Sequence, residues 1–371
     1  MEGTKPRTAS SIGMFDMLKG AGMLTIVFAH TAELYPMQAV SGLSLTAFFP
    51  FIYREALMSA FFIASGYGFR KRSIHKCIHQ QLKSLLKPYA YTALFTCVLH
   101  FIIHYKTFQY LPGTIGESIK VTGGFLLGLP HTAEYFGQEF FSCGPMWYLL
   151  ALVVGWVLLD VILNIFPERY VPWAVAGCVL LGWGASLVWE LPFCLIQGAV
   201  VVPYLYIGFL AKKKHLLDEP LPPKVFVGLL AATALIAVGS LATRTTDCIS
   251  LAEWSLGPLS IFLDGAAGLL FIRLFMRLSH GHGPIVHFLE AVGRRSLNIF
   301  CVHTVEIIAI PWYLMVAKFS AQPVLGMWLQ YAIALGSIWL VCELLRVRRA
   351  LIIRFFPAQR RTPAVHYTSR H

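Results

Sequence analysis

Residues 146–166 read MWYLLALVVGWVLLDVILNIF, and Asp160 is their only charged side chain. A helix needs about 20 mainly apolar residues to cross the hydrocarbon core of a bilayer, so this run has the length and character of a membrane span. The rest of the chain agrees, since 57% of its 371 residues are hydrophobic and 13% are charged. Soluble proteins have about 25% charged residues. The composition therefore excludes a soluble globule and a disordered chain, and it predicts a membrane protein.

Ten apolar runs of this kind occur along the chain. They predict spans at 14–34, 48–69, 89–105, 146–166, 171–189, 194–211, 225–242, 256–276, 297–317 and 324–345. A further apolar stretch, 119–130, contains paired glycines and is expected to be re-entrant or interfacial. The predicted fold class is all-α, a polytopic transmembrane helical bundle of about ten helices.

The distribution of positive charge orients these spans. If the N-terminus is cytoplasmic, 24 of the 30 Lys and Arg residues fall on the cytoplasmic side and four fall in the opposite loops. This asymmetry is the one that the positive-inside rule requires, and it predicts that both termini are cytoplasmic. We expect a membrane domain over 1–345 and a basic cytoplasmic tail over 346–371 on the anionic lipid leaflet. The excess of Lys and Arg in the cytoplasmic loops thus accounts for the net charge of +12, and no nucleic acid is expected as a partner.

The first span contains three ionisable residues, which are costly in a bilayer and therefore candidates for function. At 100° per residue, Lys19 and His30 differ by about 20° around the helix, and Asp16 and His30 by about 40°. Lys19 and His30 are about 16 Å apart along the axis. The pattern predicts a cation near the cytoplasmic surface and a histidine in the outer half of the membrane. A structural interpretation stays open, in which Lys19 snorkels beside Asp16 and His30 is interfacial.

The ninth span contains His303 and Glu306, which share a helix face because they are three residues apart. A carboxylate beside an imidazole fixes its tautomer and raises its basicity, as in a general base with its orienting group. The alternative is a buried pair that ties helices together. Neither a second His at i+4 nor a Cys cluster accompanies the pair, so no metal site is predicted.

Cations also cluster after the second span, where Arg70, Arg72, Lys83 and Lys87 fall in one loop. Such a run is either a lipid-facing patch that fixes topology or a surface that attracts the phosphates of a donor such as coenzyme A. Arg54 lies near the outer end of the same span. It either meets an anionic or hydroxylated substrate or simply snorkels.

Five short motifs occur in an order that resembles a known family. They are Phe15-Asp16-Met17-Leu18-Lys19-Gly20 with His30, Phe61-Phe62-Ile63-Ala64-Ser65-Gly66-Tyr67, Lys83 to Pro88-Tyr89, Gly144-Pro145-Met146-Trp147-Tyr148-Leu149 and Ser296-Leu297-Asn298-Ile299-Phe300-Cys301-Val302-His303. From Phe15 to about Leu345 the chain resembles acyltransferase family 3 of integral membrane acyltransferases. The family's opening basic residue is more often Arg than the Lys19 found here, and its paired arginines are Lys83 and Lys87 here.

The resemblance implies transfer of an acetyl or succinyl group from cytoplasmic acyl-CoA to a hydroxyl of a cell-surface polysaccharide or its lipid-linked sugar precursor. It implies a multi-pass protein of a bacterial inner membrane. The expected partners are acyl-CoA, a carbohydrate acceptor and membrane lipids. Acetyl-CoA or another acyl-CoA is a co-substrate, and no permanently bound cofactor is expected.

In the resulting hypothesis, His30 is the base that activates the sugar hydroxyl, and Asp16 acts at a distance on the cation of Lys19. His303, oriented by Glu306, is a second base or stabilises the oxyanion. The residues expected to hold the coenzyme A phosphates are Lys19, Arg70, Arg72, Lys83 and Lys87. Those expected to meet the sugar are Trp147, Tyr148 and Arg54.

Intramembrane His, Asp and Glu residues are also typical of a second class of protein. A proton-coupled transporter that exports a polysaccharide precursor would use them in a proton pathway. Its sequence usually shows an inverted repeat and paired broken helices, which we do not detect here. A membrane scaffold is a third interpretation, and it would need neither His30 nor His303.

Overall fold

The computed structural model describes residues 12–35, 51–218, 220–281 and 283–355. Helices dominate, and their bounds in chain order are α1 Asp16–Glu33, α2 Met58–Tyr67, α3 Ile74–Gln81, α4 Lys87–Phe108, α5 Leu111–Leu127, α6 Trp147–Ile165, α7 Val171–Ser186, α8 Leu195–Val200, α9 Val202–Lys213, α10 Pro223–Thr243, α11 Pro258–Leu278, α12 Pro284–Gly293, α13 Ser296–Ala309, α14 Tyr313–Lys318 and α15 Pro323–Phe355. π-Helical segments, Phe51–Leu57 and Leu82–Leu86, lead into α2 and α4. Strands β1 Ala133–Tyr135 and β2 Gln138–Phe140 form an antiparallel hairpin, the one sheet of the described chain.

Among the described residues, five helical segments are long and apolar enough to cross a membrane, and a sixth is added if the bent pair Pro192–Val200 and Val202–Lys213 is one span. The five are Ile74–Phe108, Gly144–Ile165, Pro223–Thr243, Pro258–Leu278 and Pro323–Arg348. Each overlaps a span predicted from the sequence, and the all-α membrane class is confirmed. The count of ten spans and the cytoplasmic location of the termini stay predictions.

Residues 119–130 and the basic tail 346–371 are two further segments for which the sequence makes a prediction. Residues 119–127 of the stretch 119–130 belong to one continuous helix, α5, and its re-entrant or interfacial placement stays a prediction. Gly124 allows the chain just after β2 to approach, because a Cβ on Gly124 would lie 1.8 Å from the carbonyl oxygen of Phe141. Of the predicted basic tail, the first ten residues continue α15, and 356–371 lie outside the described residues.

Direct backbone contacts fix α1 and α2 in the bundle. A Cβ on Gly20 of α1 would lie 1.8 Å from the carbonyl oxygen of Leu289 in α12, and a Cβ on Gly66 of α2 would lie 2.1 Å from that of Leu205 in α9. Close approach at small residues is the usual way that helices pack in membranes, where burial of apolar surface provides little driving force. These contacts hold the two helices that supply most of the candidate site.

Loops meet at the end of the bundle that carries Arg54, here called the Arg54 end; the opposite end is called the Lys19 end. At the Arg54 end, His131 Nδ1 lies 3.0 Å from the carbonyl oxygen of Ser250, and the Tyr135 hydroxyl donates to the carbonyl oxygen of Glu190. Burial raises the pKa of the Glu190 carboxyl. The β-hairpin, the loop before α8 and the loop before α11 are thus tied together at this end.

Candidate active site

A cavity of about 510 Å³ runs through the bundle between the Lys19 end and the Arg54 end. Helix α1 contributes one face to it, on which Lys19, Met23, Ile26, His30 and Glu33 follow one another at intervals of three or four residues. This spacing is that of one helix face. The cation and the imidazole predicted to share a face therefore line the same cavity.

The Lys19 end of the cavity contains an ion pair within α1. Lys19 Nζ lies 3.1 Å from Asp16 Oδ1, and Phe15 and Gln80 line the wall nearby. One contact to a carboxylate uses part of the bonding capacity of an ammonium group, which has three N–H donors. Lys19 is therefore held in place by Asp16 and still has donors for a ligand in the cavity.

His30 lies against His303 of α13, with ring centroids 5.6 Å apart and ring planes inclined by 34°. His303 Nδ1 lies 2.9 Å from Glu306 Oε2. The side chains of His303 and Glu306 are only 1% and 6% exposed. An Nδ1–H donated to the carboxylate leaves Nε2 with the free lone pair, and this buried Nε2 has no hydrogen-bond partner in the described chain.

Sequence reasoning missed Glu33, whose carboxylate lies beside His30. His30 Nδ1 lies 3.7 Å from Glu33 Oε2, and the two side chains are 31% and 40% exposed. The signal was a repeated tetrapeptide: His30-Thr31-Ala32-Glu33 and His303-Thr304-Val305-Glu306 both read H-T-x-E. The candidate site therefore consists of two His–Glu pairs on different helices, with their imidazoles in contact.

Arg54 and Tyr53 complete the Arg54 end of the cavity. Arg54 Nη2 lies 2.6 Å from Glu33 Oε1, and Arg54 Nε donates to the Tyr53 hydroxyl at 2.8 Å. The Tyr53 hydroxyl also donates to Glu33 Oε1. Arg54 was predicted from the sequence either to meet substrate or to snorkel, and the structure places it in the cavity wall as the partner of Glu33.

The loop before α11 forms part of the wall at the same end, through Cys248–Leu251. Glu55, the neighbour of Arg54, anchors this loop. Its Oε1 accepts hydrogen bonds from the Asp247 backbone N–H at 3.0 Å and from the Ser240 hydroxyl at 2.9 Å. Sequence reasoning assigned Glu55 no role, and its role here is to hold a wall of the cavity.

Trp147 and Tyr148 also line the cavity. The Tyr148 hydroxyl lies 3.2 Å from the Ser65 hydroxyl, which joins two of the sequence motifs, one from α2 and one from α6. The Tyr148 ring packs against Phe62 and Phe300, with centroids 4.6 and 6.1 Å apart. The two aromatic residues are thus fixed in the wall between the ends of the cavity.

The other predicted phosphate-binding cations lie apart from the cavity lining. These residues follow α2 and extend to the first residue of α4, at the Lys19 end; they are Arg70, Arg72, Lys83 and Lys87. None of them is among the residues that line the cavity. The backbone N–H of Arg72 donates to Asp160 Oδ1 at 2.9 Å. Among the described residues, no group of three or more His, Cys, Asp and Glu side chains could hold a metal ion.

A family model described as an acyltransferase domain, acyltransferase 3, matches residues 12–347. The match covers nearly the whole chain, so the protein belongs to this family and is a membrane acyltransferase. The resemblance inferred from the motifs is confirmed. No curated protein and no solved structure matches the chain.

Proposed function

We propose that the protein transfers an acetyl or succinyl group from cytoplasmic acyl-CoA to a hydroxyl of a surface polysaccharide or its lipid-linked sugar precursor. In this proposal the Lys19 end faces the cytoplasm, as the positive-inside rule predicts, and the protein lies in a bacterial inner membrane. The observation that carries it is the cavity that joins Lys19 at one end to the paired histidines near the other.

Donor binding is assigned to the Lys19 end. Lys19 would bind coenzyme A phosphate through the donors that Asp16 leaves free, and the basic residues between α2 and α4 would attract the same anion from the cytoplasm. The pantetheine arm would then extend along α1. The 11 residues from Lys19 to His30 correspond to about 16 Å of helix, which would bring the thioester towards His30.

Acyl transfer needs a base, because a sugar hydroxyl is a weak nucleophile until its proton is removed. His30 takes this proton as the hydroxyl oxygen attacks the thioester carbonyl carbon. A C–O bond forms and the C–S bond breaks. The proton then passes from His30 to the leaving thiolate, so that the products are an ester and the coenzyme A thiol.

His303 supports this step from beside His30. Its imidazole is held by Glu306, and the Glu306 carboxylate favours the positive charge that forms on the histidine pair during proton transfer. Burial of the pair strengthens this electrostatic effect, because little water screens it. Trp147 and Tyr148 would offer apolar ring surface to the sugar.

The test uses sealed inverted membrane vesicles that carry the protein, with radiolabelled acetyl-CoA added outside and a glycan acceptor enclosed in the lumen. We expect labelled ester on the luminal glycan and release of free coenzyme A outside. A transporter or a scaffold would release no coenzyme A. Ester formation only when donor and acceptor share one side of the membrane would contradict transfer through the cavity.

A matched pair of histidine variants controls this experiment. His303→Ala should abolish most of the transfer. His215→Ala is the control, because His215 also has a carboxylate three residues later: His215 Nδ1 lies 2.8 Å from Asp218 Oδ2. Unlike His303, His215 is exposed and lies outside the cavity lining. We expect His215→Ala to retain full transfer, and equal loss in both variants would contradict the assignment of His303.

A further inference from the structure

We infer that the acceptor of this enzyme is an uncharged, hydroxyl-rich sugar and that the Glu33–Arg54 pair selects it over sugars bearing a carboxylate or phosphate. The inference rests on the proposed function, because it concerns the acceptor of the same reaction. Arg54 is the one Lys or Arg side chain in the described wall at the Arg54 end of the cavity. In isolation such a residue would favour an anionic ligand.

One edge of the Arg54 guanidinium that could bind a carboxylate, the Nε–Nη2 edge, already has protein partners. Nη2 contacts Glu33 Oε1 at 2.6 Å, and Nε donates to Tyr53 at 2.8 Å. Bidentate recognition of a carboxylate or phosphate uses two parallel N–H donors of this kind. An anionic sugar would either displace Glu33 from this edge or bind at Nη1 beside Glu33, and in both cases two anions would share one cation.

The charged side chains at the Arg54 end of the cavity balance one another. Glu33 and Arg54 cancel each other, and His30 is neutral when it acts as a base. Among the described residues that line this end of the cavity, no second Lys or Arg is present to receive an anionic acceptor.

The segments at the Arg54 end offer no excess of positive charge. Residues 106–145, 187–194, 244–257 and 310–322 together contain six acidic and four basic side chains. One of the cations, Lys120, is paired with Glu117 at 3.6 Å and with Glu139 at 3.5 Å. Asp247 is buried and the Glu190 side chain is only 8% exposed, so the other acidic and basic residues balance and this end offers an approaching anion no excess of positive charge.

A neutral sugar fits the same groups without displacing any of them. Its hydroxyls can donate to Glu33 and accept from Arg54, since a hydroxyl is both donor and acceptor. Such contacts would also bring one hydroxyl close to His30, whose Nδ1 is 3.7 Å from Glu33. The site would therefore discriminate against anionic sugars, because binding one would leave the partly buried Glu33 carboxylate or the sugar's own anion without a full counter-charge.

The experiment compares matched acceptors that carry either a methyl group or a carboxylate at C6, so that neither member of a pair has a C6 hydroxyl. Purified protein is given acetyl-CoA and methyl glycosides in three pairs: D-quinovoside and D-glucuronide, D-fucoside and D-galacturonide, D-rhamnoside and D-mannuronide. We expect ester formation on neutral members, with kcat/KM at least about tenfold lower for the acidic partner of any accepted sugar. Equal or preferred transfer to the acidic members would overturn the inference. Transfer to no glycoside would instead contradict the carbohydrate acceptor of the proposed function, on which the inference depends.

Two variants then test the residues. Glu33→Gln leaves Arg54 without its counter-charge, and the ratio of acidic to neutral kcat/KM should rise by about tenfold. This ratio is independent of any general loss of activity. Glu253→Gln removes an exposed carboxylate at the same end but outside the cavity lining, and its ratio should stay within twofold of the unmodified protein. Equal shifts in both variants, or no shift in Glu33→Gln, would overturn the assignment of selectivity to the Glu33–Arg54 pair.

Discussion

The two H-T-x-E segments of α1 and α13 place identical groups at identical spacing, but they differ in environment. In α13, His303 and Glu306 are buried and form a hydrogen bond of 2.9 Å. In α1, His30 and Glu33 line the cavity, their nearest atoms are 3.7 Å apart, and Glu33 is shared with Arg54. The same helical spacing thus gives a buried, hydrogen-bonded pair in α13 and a partly exposed pair without that hydrogen bond in α1. In the proposed mechanism, α13 therefore supports the chemistry and α1 meets the substrate.

The largest effect is expected for His30→Ala. It removes the proposed base at the cavity, and general base catalysis contributes about 10²- to 10⁴-fold to a rate. We expect kcat for acyl transfer to fall by this factor while the KM for acyl-CoA changes little. The measurement is transfer from radiolabelled acetyl-CoA in membranes with equal protein levels.

His287→Ala is a suitable control for this substitution, because His287 lies in α12 outside the cavity lining. Full activity of His30→Ala, with His303→Ala inactive, would reverse the roles that the comparison assigns to the two helices.

A smaller effect, about 10- to 100-fold in kcat, is expected for Glu306→Gln. The amide still accepts the Nδ1–H of His303 but no longer supplies negative charge to the imidazole pair. The kinetics should be measured together with the thermal unfolding midpoint. An unchanged kcat would show that the buried pair is only structural, as the alternative interpretation of the sequence held.

The matching substitution in α1, Glu33→Gln, is expected to lower kcat with the neutral acceptor by only about two- to fivefold. Partly exposed ion pairs contribute about 0.2–1 kcal/mol, and no hydrogen bond to His30 is lost at 3.7 Å. Steady-state kinetics with the same acceptor should give a lower kcat for Glu306→Gln than for Glu33→Gln. The reverse order would refute the distinction between a supporting pair and a substrate-facing pair.

The smallest effect is expected for the threonines that the two segments share. Thr31 and Thr304 each donate a hydrogen bond to the carbonyl oxygen four residues earlier, at 2.8 and 3.0 Å. Thr→Val at either position removes a bond that is internal to its own helix, and activity should change by less than about twofold. A large loss at one position alone would mean that its hydroxyl contacts substrate or the neighbouring imidazole.

Local patterns in the sequence predict much of this site. Lys19 and His30 lie on one face of the cavity because helical periodicity depends only on spacing, and His303 contacts Glu306 for the same reason. The long apolar runs predict five or six of the spans directly. Glu33 could also have been found, since its motif repeats that of His303, but nothing in α1 alone indicates that Arg54 pairs with it.

What the sequence by itself determined is the membrane class, the acyltransferase 3 family and the residues that share a helix face, because each depends on composition or on neighbours along the chain. What only the tertiary structure decided is which faces meet. His30 reaches His303, Glu33 reaches Arg54, and Glu55 holds the loop at Asp247 because α1, α2 and α13 pack through contacts between residues far apart in the chain. Such contacts depend on close backbone approach at positions such as Gly20 and Gly66, and no local periodicity specifies the partner of such an approach.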